Sequence, residues 1–416
     1  MTRAASAAPI VWAAFVVAHL LVAVSGWLLP SQPMGDVVLV YLPWSASALG
    51  GGAIVGITEP WVYPQLALLP MLLAQLPAAA LEALVGAEGA YLIGWAVLVT
   101  LCDLVAFGML VGRGRSRART AAGAFWTAAI VLLGPVGMYR IDAVVVPLAI
   151  VGGLWLARRP AVGAVLLTIG AWIKIWPGAL VLAAVVTLRA RVRVLVAAAA
   201  TVAGVVVTLL LLGAGAHVFG FLGQQTARGL QIEAVAATPF LWLAAAGTAS
   251  IEYSFEILTF QVSAPGADLV AELLTPIMML AVAGIVGLGI WRARSGATWQ
   301  RLLPPLALAL VVALIVTNKV GSPQFQTWLF APVVLWLVLD WPRAGIPAAL
   351  TLTLSALTFA VYPLLYDALL RAELAPILVL TARNVLLVVL FAHSIRAIIR
   401  TPAADRRTSA ASAETR

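Results

Sequence analysis

Asp36, in Pro33-Met34-Gly35-Asp36-Val37, follows directly on the first long apolar run of the chain. An acid at the edge of a hydrophobic span is a candidate general base, and an N-cap on a helix beginning at Val37 is the other role that Asp suits there. Cations that could meet it are few. The chain has two lysines, Lys174 and Lys319, beside 23 arginines. Each ends a short apolar run, where an ammonium either snorkels to lipid headgroups or faces a cavity and holds an anion. Tyr139-Arg140-Ile141-Asp142 places a cation and an acid two residues apart, so the two need not pair with each other. Arg228 and Glu233 lie in the polar run Gln224–Glu233, and are candidates for holding a substrate headgroup or a loop ion pair. A base, cations for a departing anion and polar residues to orient a substrate are the parts needed for displacement at a phosphate-linked carbon.

Metal chemistry has little to stand on. No Asp-x-Asp pair occurs, and His19, His217 and His393 are scattered without ligand spacing. The single cysteine, Cys102, sits inside an apolar run, so neither an internal disulfide nor a cysteine metal site is expected. The chemistry is expected to need no metal or other cofactor.

The elements that must position these residues are membrane helices. Of 416 residues, 63% are hydrophobic and 10% charged, which no soluble globular domain matches. The net charge of +9 sits in short clusters between apolar runs and forms no continuous patch, so nucleic acid is not an expected partner. Apolar runs predict spans near Ile10–Leu29, Gly89–Val111, Ala121–Gly137, Ala143–Leu156, Ala161–Ile173, Trp176–Leu188 and Val194–Leu212. Further spans are predicted near Leu269–Trp291, Leu303–Val316, Gln326–Leu339, Ile346–Tyr362 and Pro376–Ile395, giving an all-α polytopic membrane protein of about twelve helices, several of them short.

Charge order sets the orientation. Arg3, Arg113 to Arg119, Arg158/Arg159, Arg189 to Arg193, Arg292 to Arg301, Arg343 and the C-terminal arginines all fall on one side of such a bundle, the cytoplasmic one, which holds both termini. Arg140, Lys174, Arg228, Lys319, Arg371 and Arg383 are left near the outer side. Acids segregate the other way: Asp36, Glu59, Glu82, Glu88, Asp142, Glu233, Glu252, Glu256, Asp268, Glu272, Asp367 and Glu373 are expected outside or at outer helix ends. Arg3 ahead of an apolar run resembles a secretory signal, but the run is long and lacks a small-x-small cleavage site before Pro30, so it reads as a retained span.

Two outer regions, about 30–88 and 215–267, hold much apolar sequence. Were Pro64–Leu84 to cross, the next span would carry Arg113–Arg119 outside, so this segment is expected to lie along or dip into the outer interface. Trp44, Trp61 and Tyr63 suit a headgroup-level belt. One integral domain over 1–400 and a disordered cytoplasmic tail over 401–416 complete the expected organisation.

Gly35-Asp36 after the first span, Tyr63-Pro64 opening an apolar segment, Tyr139-Arg140-Ile141-Asp142 at an outer corner and Lys174-Ile175-Trp176-Pro177 carry a resemblance over nearly the whole chain. It resembles the polyprenol-phosphate-mannose-dependent mannosyltransferases of glycosyltransferase family 87. The resemblance implies a GT-C fold, a lipid-phosphate sugar donor used at the outer face, and an acid in the first outer loop as base, a position that Asp36 matches. Members acting on phosphatidylinositol mannosides or lipomannan often carry Ser-Pro followed by paired histidines late in the chain. The corresponding stretch here is Asn318-Lys319-Val320-Gly321-Ser322-Pro323-Gln324-Phe325-Gln326-Thr327-Trp328, without those histidines, which leaves sugar and acceptor open.

The expected reaction is a single inverting displacement. Asp36 takes the acceptor hydroxyl proton, Lys319, Lys174 and Arg140 hold the lipid phosphate as it leaves, and Asp142, Tyr63, Arg228, Glu233 and Gln324 contact the substrates. The partners are then a polyprenyl-phosphate sugar, a lipid-linked or glycan acceptor of the cell envelope, and membrane lipids. The excess of Arg over Lys and the Ala/Val bias suggest a GC-rich bacterial genome and hence the bacterial plasma membrane. A transporter or flippase of a lipid-linked sugar is the alternative, with proline-interrupted helices in its favour and the lack of an internal repeat against it.

Overall fold

The computed structural model describes residues 7–226, 228–254 and 259–403. Arg3, Glu256 and the tail beyond residue 403 lie outside the described residues, as do the side chains of 224–226.

In lipid every backbone polar group must be satisfied within the protein, so long apolar runs become helices. They are α1 (Ala8–Leu28), α2 (Leu42–Leu49), α3 (Leu68–Ala79), α4 (Glu82–Val111), α5 (Arg117–Leu133), α6 (Asp142–Leu156), α7 (Pro160–Ile173), α8 (Pro177–Thr187) and α9 (Arg191–Leu211). After these come α10 (Gly220–Thr226), α11 (Thr238–Ala245), α12 (Ala267–Arg294), α13 (Trp299–Val316), α14 (Phe330–Leu339), α15 (Gly345–Phe359), α16 (Tyr366–Leu370) and α17 (Leu374–Ile399). Prolines open α7 and α8, where a missing N–H costs nothing.

Among the described residues, eight helical segments are long and apolar enough to cross a membrane: α1, α4, α5 with its extension to Gly137, α9, α12, α13, α15 with its extension to Leu364, and α17. The other four expected spans are the shorter α6, α7, α8 and the segment Pro323–Leu339. A span of about 20 residues is needed to cross a bilayer unaided. α6 and α14 are enclosed: most of their residues are buried by neighbouring helices. α5 and α13 are 72% buried over their spanning windows and form the centre, whereas α9 is 11% and α12 17% buried, leaving both at the rim.

Small residues set the closest contacts. A Cβ on Gly163 would lie 2.7 Å from the Gly152 carbonyl oxygen, so α6 and α7 meet backbone to backbone. A Cβ on Gly94 would lie 2.4 Å from the Ala74 carbonyl oxygen, which fixes α3 flat against α4. The apolar segment 64–84 is therefore a short helix, α3, packed back on α4. The region 215–267 also contains something its sequence did not announce, an antiparallel hairpin of β1 (Ser250–Ser254) and β2 (Thr259–Ser263) in which Glu252 faces Gln261. Its alternation of Ile251 and Tyr253, and of Phe260 and Val262, is the period-two pattern of a strand, but too short to stand out from the surrounding apolar sequence.

The helices alternate in direction, so the connections gather at two ends of the bundle. At one end Arg343 bonds the carbonyls of Arg301 and Ala397, and Arg292 that of Thr401. The connections carrying Asp36, Arg140, Lys174 and Trp328 meet at the opposite end.

Candidate functional site

Residues 31–36 form the first wall. Ser31 and Gln32 both have positive φ, 59° and 47°, a conformation that costs a non-glycine residue about 1–3 kcal/mol. The Tyr362 hydroxyl meets the carbonyl oxygens of both, at 3.1 and 3.2 Å. Arg140 closes the same turn: its Nη1 donates to the Pro33 carbonyl at 3.2 Å and its Nη2 to the Tyr362 hydroxyl at 3.2 Å. The same guanidinium lies 3.4 Å from Asp36 Oδ1. The Arg140 side chain is 7% exposed and that of Asp36 37%, so a buried cation holds a carboxylate that still reaches open space. The N-cap expected of Asp36 does not form: the residue is already helical, with φ −59° and ψ −34°, and its side chain bonds no helix N–H.

The second wall is an acid–lysine pair. Asp142, at the start of α6, is wholly buried, accepts a hydrogen bond from Trp328 Nε1, and stands 3.8 Å from Lys174 Nζ. Thus Arg140 and Asp142 turn to different partners, as their spacing allowed. Lys174, just past α7, lies 4.4 Å from the centre of the Tyr63 ring. Burial lowers the Lys174 ammonium from its ordinary pKa and the charge of Asp142 opposes that. Tyr63 is held well above the usual phenol range, first by burial and then by the charge of Asp36, so it remains a hydrogen-bond donor. Arg228 acts on both Lys174 and Tyr63. Its Nε is buried and has no hydrogen-bond partner among the described residues. Asp36, Arg140, Asp142, Lys174, Tyr63 and Arg228 therefore belong to one electrostatic cluster.

Glu233, Lys319 and Gln324 sit differently. Glu233 is buried and tied to Arg383 of α17, 3.4 Å away, while its own carbonyl accepts from the same guanidinium at 2.9 Å. Burial raises the Glu233 carboxyl and the charge of Arg383 pulls it back. This pair anchors the strand of chain 228–234, which also takes Gln231 N to Lys319 O at 3.0 Å and Val262 N to Leu230 O at 3.0 Å. Gly321 is required here, since a Cβ would stand 2.0 Å from Ala234 N. Burial lowers the Lys319 ammonium from its ordinary pKa and the charge of Glu272, on α12, opposes that. Gln324 lies on the 3-10 turn Pro323–Leu329 that delivers Trp328, and its buried Oε1 has no partner among the described residues.

Trp44, Trp61 and Tyr63 do not form a headgroup belt. Their rings pack edge to face at 5.4 to 6.1 Å and Trp61 is buried, because the segment 53–64 folds inward onto α2. The residues whose part was not foreseen are Trp328, Tyr362 and Arg383. Arg383 stood out as a lone cation near the outer side, whereas Tyr362 carries no spacing signal at all. Among the described residues no three His, Cys, Asp or Glu side chains converge as a metal site. No family model, curated protein or solved structure matches this chain.

Proposed function

We propose that this chain is a GT-C-type membrane glycosyltransferase that moves a hexose, mannose by the resemblance, from a polyprenyl-phosphate donor to a cell-envelope glycan or glycolipid. The observation that carries the reading is a part-exposed carboxylate, Asp36, fixed by the buried Arg140 at 3.4 Å, in one cluster with Lys174 and Arg228. The charge order of the loops supports an outer active site on the bacterial plasma membrane, with both termini cytoplasmic.

In the proposed step Asp36 accepts the acceptor O–H proton as that oxygen bonds the anomeric carbon. The bond from that carbon to the phosphate oxygen breaks, and its electron pair leaves with the lipid phosphate. Lys174 and Arg228 are the cations placed to receive it. Arg140 is better suited to orienting Asp36, since Pro33, Tyr362 and Asp36 already occupy its donors. Asp142 supports inversion: wholly buried and bound by Trp328, it is unavailable as the second carboxylate of a double displacement. The eight candidate spans provide the lipid-facing surface along which a polyprenyl chain would lie.

The test is transfer of radiolabelled hexose from polyprenyl-phosphate donors to a membrane lipid extract by protein in nanodiscs, comparing wild type with Asp36→Asn. Transfer by the wild type and its loss in the variant is the expected result. Equal transfer by both removes Asp36 as base, and movement of intact labelled donor across a sealed vesicle without transfer favours the flippase.

A further inference from the structure

At the end of the bundle opposite Asp36, a cleft of about 510 Å³ opens between the α8–α9 corner and α12. Arg189, Arg191 and Arg294 line it beside Val185, Val186 and Ile290. All three arginines are exposed, and among the described residues none of their guanidiniums has a hydrogen-bond or ion-pair partner. The cleft exists because of what happens one turn deeper. A Cβ on Gly289 would meet Leu306 at 2.9 Å and Val186 at 3.1 Å, so α12 touches α8 there, below the level of Arg294. α9 begins at Arg191 without a side-chain cap, which adds unpaired N–H groups on the same side.

We infer that this cleft binds the phosphate headgroup of an anionic phospholipid. Three unpaired guanidiniums in a concave site match a phosphodiester, which Arg holds through paired N–H donors. A free anion would be served by the cations alone; the apolar wall of Val185, Val186 and Ile290 fits an occupant with an acyl chain attached. Both α9 and α12 lie at the rim, 11% and 17% buried, so that chain would continue along surface already given to lipid. Basic pockets between spanning helices take anionic headgroups on these grounds. The site is independent of the proposed transfer reaction and stands on the helices alone.

Native mass spectrometry of the full chain, released from detergent after titration with phosphatidylglycerol or phosphatidylcholine, tests it. The wild type is expected to hold phosphatidylglycerol at least tenfold more tightly than does Arg189→Gln/Arg191→Gln/Arg294→Gln, and to show no such difference with phosphatidylcholine. Arg193→Gln, in the same turn but outside the cleft, is expected to bind as the wild type does. Ile290→Trp, which fills the apolar wall and leaves every charge, is expected to weaken phosphatidylglycerol as well. Equal binding by wild type and triple variant would overturn the inference, and so would displacement of the lipid by millimolar inorganic phosphate, which would make the cleft a site for a free anion. Thermal unfolding of each variant, unchanged because the substituted arginines are exposed, separates lost binding from lost folding.

Discussion

Arg140 lies 3.4 Å from Asp36 and bonds the Pro33 carbonyl and Tyr362 hydroxyl at 3.2 Å each, so one guanidinium fixes both the acid and the turn that presents it. A lysine in its place keeps the charge but cannot span three partners at once. Arg140→Lys is therefore expected to lower kcat for sugar transfer at least tenfold with little change in donor KM, and Tyr362→Phe to lower it less. Asp36→Asn, which removes the proposed base, is expected to cost about 10²- to 10⁴-fold. Steady-state kinetics in nanodiscs with the donor varied would measure all three, and a larger loss in Tyr362→Phe than in Arg140→Lys would refute the arrangement.

The Lys174 ammonium is disfavoured by burial, and the charge of Asp142 at 3.8 Å opposes that. Because its folded pKa is lowered, activity that needs the charged form is full at lower pH and lost as pH rises through that pKa. Removing Asp142 takes away the opposing charge. Asp142→Asn is expected to move the alkaline limb of the pH profile of kcat/KM to lower pH, whereas Lys174→Arg, whose charge persists, should extend it upward. An alkaline limb unmoved by both substitutions would exclude Lys174 from the reaction.

Long spans were readable because lipid leaves an apolar run no alternative to helix. What composition alone leaves open is which polar groups meet. Arg140 and Asp142 are two residues apart in sequence, yet one turns to Asp36 and the other to Lys174 and Trp328, a choice made by how α6 packs on its neighbours. Lys319 ends an apolar run much as Lys174 does, but the backbone of 319–321 is drawn to the 231–234 segment, and the charge of Glu272 acts on its ammonium. The tyrosine at 362 was hidden for a simpler reason: an aromatic at the end of a span is ordinary, and its hydroxyl matters because Ser31 and Gln32 turn their carbonyls toward it and Arg140 donates to it.

Glu233 and Arg383 are 3% and 4% exposed in their side chains and join a long loop to α17. Removing one partner of such a pair leaves the other as an uncompensated buried charge, at a cost of about 3–5 kcal/mol, while replacing both by apolar groups is often tolerated. Glu233→Leu is thus expected to lower the unfolding temperature markedly and to make the chain near 228–234 sensitive to protease. Glu233→Leu with Arg383→Leu should recover most of the loss. A double variant as unstable as the sum of the single ones would show that the two side chains act independently.

His19 of α1 and Asp103 of α4 form a buried pair, with His19 Nε2 3.0 Å from Asp103 Oδ2 and His19 Nδ1 2.9 Å from the Phe15 carbonyl. The Phe15 ring lies 4.1 Å from the His19 imidazole and itself packs on Phe107 and Trp126. The pair is expected to be a clamp between two spans and not part of catalysis. Asp103→Asn retains an acceptor for the imidazole and should change little; Asp103→Leu strands a buried donor, at a cost of about 1–3 kcal/mol. Thermal unfolding should drop for the leucine variant, while the kcat of the folded fraction stays at the wild-type value for both. A kcat that falls in Asp103→Asn at unchanged stability would instead give the pair a direct part in turnover, as intramembrane ionisable groups often have.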